Sequence, residues 1–278
     1  MISSLQNEQV KHVVSLHTNK GRNQCGQFLI EGKRFLQEAL LRDAKIIKIY
    51  YCSDNQTFVK DTESDEFKPN LSVPNLVNQA FKQQIPLEEV TEAVMHKMST
   101  TKEPQRILAI AEQDEYGWTD IDLAKKEFIL IIDGIQDPGN MGTILRTALA
   151  ADIKNIILTK GTVDIYNTKV LRSSMGAIFS IKILMDKTPE EITNFCKANN
   201  FILTVSTMEG ASIYQEKISE HIPLALVLGN EAFGPAEIFL READKKLSIP
   251  MFNTVESLNV AIAAGIFLFE IRRQLGFL

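Results

Sequence analysis

The sequence predicts an α/β protein: a mostly parallel sheet covered by helices on both faces, preceded by a smaller α/β domain. Three observations predict it. From Phe128 onward, runs of apolar β-formers alternate with segments of helical periodicity, the order that favours parallel strands under helices. The first half carries its own, shorter pattern of strands and helices. Between them, Gln113 to Lys126 is polar and charged and holds Gly117 and the only tryptophan, Trp118. A chain of 278 residues exceeds the usual single core. The domains are therefore placed at 1–112 and 127–278, with a linker at 113–126.

In the first domain, FLIEG from Phe28, the helical KRFLQEALLRDA and the β-rich IIKIYYC read as a β-α-β unit with a parallel strand pair. A polar stretch from Ser53 to Pro69 follows, with an acidic, loop-like run at Asp61 to Glu66. Then come an amphipathic segment at Leu76 to Phe81, a short EVT run, the helix-like EAVMHKMS and the strand ILAIAE. The second domain reads as strand FILIID, a helix from Met141, strand NIILT, a helix near Lys169 to Ser174, strand IKILM, helix EEITNFCKANN and strand FILTVST. Strand LALVLG, helix PAEIFLREA, the short strand KLSIP and a closing helix from Glu256 to about Leu275 complete it. Ligands in such an architecture sit beyond the C-terminal ends of the strands.

Composition excludes several classes. Hydrophobic residues make up 45% and charged residues 23%, which suits a folded core rather than a disordered chain. The longest apolar stretch, Val260 to Phe269, falls short of the roughly 20 residues that a spanning helix needs. The first twenty residues show no secretory pattern, so a cytoplasmic protein is expected. Cys25, Cys52 and Cys196 are odd in number and lack CxxC spacing, and the four histidines form no pattern with them. That argues against structural disulfides and against a metal site. A net charge of −5 gives no sign of a strongly basic surface, although the balance is more basic up to Glu112, with 14 residues of each sign against 16 basic and 21 acidic after it.

Three segments carry candidate chemistry. In DGIQDPGNMGTILRTALA, Asp137, Pro138 and Gly139 make a turn and Asn140 is placed to cap the helix that follows, with Arg146 six residues on. A dinucleotide fold or an ordinary class I methyltransferase would want GxGxxG at this first strand-to-helix turn, and the sequence lacks it. In GNEAFGP, Gly229 and Gly234 bracket Asn230 and Glu231. This loop either admits a flat ligand against backbone or is a tight turn with Glu231 near a helix N-terminus. In IPMFNTVESLNVAIAAGIFLFE, Ser257 and Asn259 precede an Ala-Ala-Gly run suited to close backbone packing, which a capped core helix would also explain.

Together, NMGTILRTA, LVLGNEAFGP and IPMFNTVESLNVAIAAG closely resemble the SpoU/TrmH family of RNA ribose methyltransferases, from about Phe128 to the C-terminus. FLIEGKRFLQEAL and TTKEPQRILAIAE resemble the ribosomal-protein-like RNA-binding domain often fused to it. The resemblance implies a SPOUT-type fold with a C-terminal trefoil knot, a homodimer, S-adenosylmethionine as methyl donor without a metal, and RNA as substrate, with ribosomal RNA favoured over transfer RNA by the fused domain. It places the donor against Leu228, Gly229, Ile249 and Leu258, and less firmly against Ser206 and Thr207. Asn140, Arg146, Glu231, Ser257 and Asn259 match its polar catalytic positions. The family often has serine where this chain has Ala261.

Family mechanisms make the arginine a general base, but a guanidinium with a pKa above about 12 is normally protonated. Clamping the target phosphate is the physically easier role for Arg146. In the first domain Arg22, Arg34, Lys102 and Arg106 are the RNA-binding candidates, with Lys20 and Lys97 beside them. Gln105 either reaches RNA or serves its loop. Two rivals stand: a non-catalytic RNA-binding protein of the same fold, and a nucleotide-dependent metabolic enzyme without a phosphate-binding fingerprint.

Overall fold

The computed structural model describes residues 1–53, 71–121, 123, 128–218, 223–252 and 257–276. The acidic run at 61–66 and the expected start of the closing helix at Glu256 lie outside them. The chain divides into two compact units, Met1–Asp114 with Tyr166–Phe179, and Glu115–Ile165 with Ser180–Leu278. The segment expected as a linker is thus shared between the two units, and its residues 122 and 124–126 are outside the described set.

The first unit opens with α1 (Glu8–Ser15) and α2 (Asn19–Cys25), each begun by a side-chain cap, Asn7 and Thr18. Then follow β1 (Gln27–Glu31), α3 (Lys33–Leu41), β2 (Ile46–Tyr51), α4 (Val73–Lys82), β3 (Leu87–Glu89), α5 (Glu92–Met98) and β4 (Ile107–Glu112). The strand order is β1-β4-β2-β3. β1 and β2 therefore do not form the expected parallel pair: β4 lies between them, antiparallel to both. Residues Ile107 to Ala111 of β4 are all buried, and a strand apolar on both faces takes a central position. The parallel pair in this sheet is β2 with β3.

Arg22 is not at the surface. It is 3% exposed, and its Nη1 donates to the carbonyls of Leu16 (2.9 Å) and His17 (3.1 Å). As a basic residue of the first domain it is expected to contact RNA phosphate, but the guanidinium instead closes the carbonyl end of the α1 region.

The second unit comprises β5 (Phe128–Ile132), α6 (Pro138–Ala150), β6 (Asn155–Thr159), β7 (Lys182–Lys187), α8 (Pro189–Ala198), β8 (Ile202–Ser212), β9 (Leu224–Leu228), α9 (Glu237–Glu242), β10 (Lys245–Ser248) and α10 (Val260–Gln274). In the chain, α7 (Thr168–Ser174) lies between β6 and β7 but belongs to the first unit. Its flanking Tyr166 packs 4.7 Å from Phe28, and Phe179 stacks on Phe35 at 5.1 Å.

The sheet order is β10-β8-β9-β5-β6-β7, with every described pair parallel. Ile129, Ile131, Val205 and Val227 meet Ile192, Cys196 and Phe239 from α8 and α9 on one face, while alternate residues serve the other, as a two-residue period requires. There α6 and α10 pack together. Trp118 joins the first face and stacks on Phe195 at 4.5 Å. Burial pushes the Cys196 thiol up to about 12, with Asp244 adding to the effect, so this cysteine behaves as a small apolar residue.

Arg272, 8% exposed, fixes α10 to α6. Its Nε donates to Ala151 O at 2.7 Å and its Nη2 to Asp152 O, with the guanidinium over the Phe128 ring. A cation at a helix C-terminus also meets the negative end of the dipole. Arg272→Ala is expected to lower unfolding stability by about 2–3 kcal/mol, measured by urea denaturation; an unchanged midpoint and slope would remove this anchor from the account.

Candidate active site

The site lies along one edge of the second unit, where the C-terminal ends of β10, β8, β9 and β5 stand side by side. At the end of β5, Asp133 is 8% exposed, and its carboxylate accepts from Thr159 Oγ1 at 2.8 Å and from the Ala236 N–H at 2.6 Å. Its own N–H donates to Leu228 O at 2.9 Å. One side chain thereby joins the loop after β5, the end of β6 and the entry to α9.

The GNEAFGP loop is a closed turn. Asn230 and Gly234 exchange N–H to carbonyl bonds at 3.1 and 3.0 Å. Asn230 Oδ1 accepts from the N–H groups of Ala232 and Phe233, and its Nδ2 donates to Gly134 O at 2.6 Å. A Cβ at Gly229 would stand 2.1 Å from Pro235 N, so glycine is required there by the turn's own backbone. Of the two readings open for this loop the turn is observed, but Glu231 is turned to Asn140 in the first turn of α6 rather than onto the N-terminus of the following helix, α9.

Asn140 does not cap α6. Asp137 does, accepting from the Asn140 N–H at 2.7 Å with Pro138 in the first turn, and this leaves the Asn140 side chain for other work. Its Nδ2 donates to Glu231 Oε1 at 3.1 Å, and its Oδ1 accepts from Asn259 Nδ2 at 2.9 Å. Asn259 Oδ1 in turn caps α10, accepting from the N–H groups of Ala261 (2.9 Å) and Ile262 (3.4 Å). The direction of this chain is fixed. Helix N–H groups can only donate and a carboxylate only accepts, so both amides have one satisfactory orientation.

Residues 127–269 match the family described as "SpoU rRNA Methylase family". The chain belongs to this family. Residues 7–109 match the MRM3-like substrate binding domain. The SpoU chain is 32% identical over 271 residues to the Bacillus subtilis 23S rRNA (guanosine(2553)-2'-O)-methyltransferase RlmP, covering 98% of each. It is 28% identical to human mitochondrial rRNA methyltransferase 3, covering 91% of this chain and 69% of the relative. Among solved structures, the AdoMet-bound rRNA methyltransferase of Sinorhizobium meliloti superposes with a TM-score of 0.82 at 30% identity, over 99% of this chain and 97% of that one.

Of the expected polar positions, the SpoU site brings together Asn140, Glu231 and Asn259. Arg146 is exposed on α6 and Ser257 is exposed just before α10; among the described residues neither is bonded to the trio. Donor-site candidates fall on the same edge: Leu228 buried, Gly229 after β9, Ile249 half-buried after β10, and Leu258 half-buried beside Asn259. Between two runs of pairing with β10, residues 206–210 of β8 make an excursion. Thr207 lies in it with its Oγ1 accepting from the Glu209 N–H, and Gly210 is held so close that a Cβ would stand 2.6 Å from the backbone of Leu247. These half-buried apolar walls and strand-end backbone groups suit an amphipathic ligand such as S-adenosylmethionine.

In the first unit Arg34, Lys102, Lys20 and Lys97 are exposed, while Arg106 sits 3.3 Å from Glu92. Gln105 serves its loop: its Oε1 accepts from the Lys33 N–H at 2.9 Å and so caps α3, whose own cap position is Gly32. Reading the sequence missed Asp133 and the anchoring role of Asn230. Both lie in the strand-end motifs, but their partners come from distant segments. Among the described residues no cluster of His, Cys, Asp and Glu could hold a metal, and no helix is long and apolar enough to cross a membrane.

Two substitutions separate capping from site geometry. Asn259→Asp keeps the α10 cap but loses the donor to Asn140, so stability should stay within about 0.5 kcal/mol while methyl transfer falls about 100-fold. Asn259→Ala should also cost about 1 kcal/mol of stability. Equal activity in the wild type and Asn259→Asp would make the contact to Asn140 irrelevant to function.

Proposed function

We propose that the protein transfers the methyl group of S-adenosylmethionine to a ribose 2′-hydroxyl of ribosomal RNA. The observation that carries this reading is the bonded chain Asn259–Asn140–Glu231 at the strand-end edge. The relative from Bacillus subtilis, named for 23S rRNA 2'-O-methylation, matches along 98% of both chains, which favours ribosomal over transfer RNA.

The donor supplies an electrophilic methyl carbon on a sulfonium centre. Leu228, Gly229, Thr207, Ile249 and Leu258 would hold it at the edge, and the protein's remaining task is to align the ribose oxygen with that carbon and sulfur and to receive the hydroxyl proton. Glu231 Oε1 is taken by Asn140, while among the described residues Oε2 accepts no bond, leaving an acceptor for a ribose hydroxyl. Arg146, exposed on α6, suits the phosphate clamp, and Ser257 the approach to the ribose. Arg34 and Lys102 would meet phosphates elsewhere on the RNA; Arg106 would first have to leave Glu92.

The same reading includes a homodimer and a trefoil knot in a cytoplasmic protein. Supporting the dimer, Ile262 and Phe269 on α10 are 57% and 40% exposed and lie seven residues apart, on one side of the helix. Phe269→Glu is expected to yield monomers in sedimentation experiments, and an unchanged mass would place the dimer contact elsewhere.

The direct test is transfer of labelled methyl from S-adenosylmethionine to unmodified ribosomal RNA and, separately, transfer RNA, with digestion to locate the label. Label on a ribose of ribosomal RNA is expected; label only on a base, or only on transfer RNA, would overturn the reading. Arg146→Ala should reduce transfer about 100-fold or more while donor affinity, measured by calorimetry, stays within a factor of two or so. Near-normal turnover in that variant would take Arg146 out of the mechanism.

A further inference from the structure

Phe233 is 90% exposed, the highest value among the large apolar side chains described. A solvent-facing turn ordinarily carries a polar residue at such a place, because a bare ring gains nothing from folding. The ring is not on a loose loop. The Phe233 N–H is held at 3.1 Å by Asn230 Oδ1, the next residue is Gly234 with φ 70°, and the Asn230 side chain is itself pinned to Gly134 O.

Two residues earlier in the same turn, Glu231 is bonded to Asn140. Two residues of chain span at most about 7 Å, so one turn carries both the Glu231 carboxylate, bonded to Asn140, and the Phe233 ring, on backbone positions within a single nucleotide's reach of each other. Glu231 and Ala232 are exposed and Gly234 and Pro235 are half-buried, so the turn itself adds no second large apolar side chain beside the ring. A lone aromatic face beside a polar site fits one flat ligand, and a nucleobase is the flat group that an RNA substrate brings there.

We infer that Phe233 is a substrate-positioning residue whose ring stacks on a base adjoining the methylated ribose and so holds the 2′-hydroxyl at Glu231. This rests on the reaction proposed above. It assigns the GNEAFGP turn a second role beside that of Glu231, and because every base has a π-face the contact fixes position without selecting sequence.

The test compares wild type, Phe233→Ala, Phe233→Leu and Phe233→Trp in labelled methyl transfer to unmodified ribosomal RNA, with donor affinity, molecular mass and melting temperature measured alongside. Phe233→Ala is expected to lower kcat/KM for RNA by roughly 5- to 150-fold, mainly through KM, with donor affinity, mass and melting temperature unchanged. Phe233→Trp should restore activity and Phe233→Leu should not. Wild-type activity in Phe233→Ala, full rescue by leucine, or a change in mass or donor affinity would each overturn the stacking role. Inactive wild-type protein would instead overturn the proposed reaction, which these variants do not probe.

Discussion

Asp133 ends the central strand of the larger sheet, and its nearly buried carboxylate takes bonds from Thr159 and from the backbone at Ala236. Bonds to a charged group contribute about 1.5–3 kcal/mol each, and here they join pieces of chain more than a hundred residues apart. The turn at 229–235 and the loop leading to α6 both start from this point. Without a fixed junction, Asn140 and Glu231 would have no defined separation, and a 3.1 Å bond between them would be one arrangement among many.

The trio built on that junction has a polarity. Its donors originate in the first turn of α10 and its last acceptor is a carboxylate open to solvent on one oxygen. A ribose hydroxyl bound at this end, as proposed, would meet an acceptor whose position is set by two amides and a helix terminus. Such preorganisation means that the groups need not reorient as charge develops, which is where enzymes gain most. In the proposed reaction the alignment of oxygen, carbon and sulfur needed for in-line displacement would depend on the same rigidity.

Much of this was legible in the sequence. The alternating pattern from Phe128 predicts the parallel sheet, and of the five polar positions in the three motifs Asn140, Glu231 and Asn259 meet at its edge, whereas among the described residues Arg146 and Ser257 are not bonded to them. What escaped was set by long-range packing. Asn140 looked like a helix cap because it follows Pro138 and Gly139, yet Asp137 has the better position one turn earlier. The strand pair expected for β1 and β2 was displaced by β4, whose continuous apolar run requires the centre. Arg22 read as a surface cation because its partners are backbone carbonyls, which leave no mark in the sequence. Likewise nothing in TTKEPQ says that Gln105 turns back to cap a helix 72 residues away.

The order of the trio along the chain bears on how the protein matures. Asn140 and Glu231 leave the ribosome before Asn259, and the trio is closed only once Asn259 stands at the start of α10, a helix that Arg272 bonds to the end of α6. Until then Asn140 has no donor for its carbonyl and the edge of the sheet is unfinished. A chain that stops short of residue 259 therefore keeps every residue of the first unit but cannot close the Asn259–Asn140–Glu231 chain.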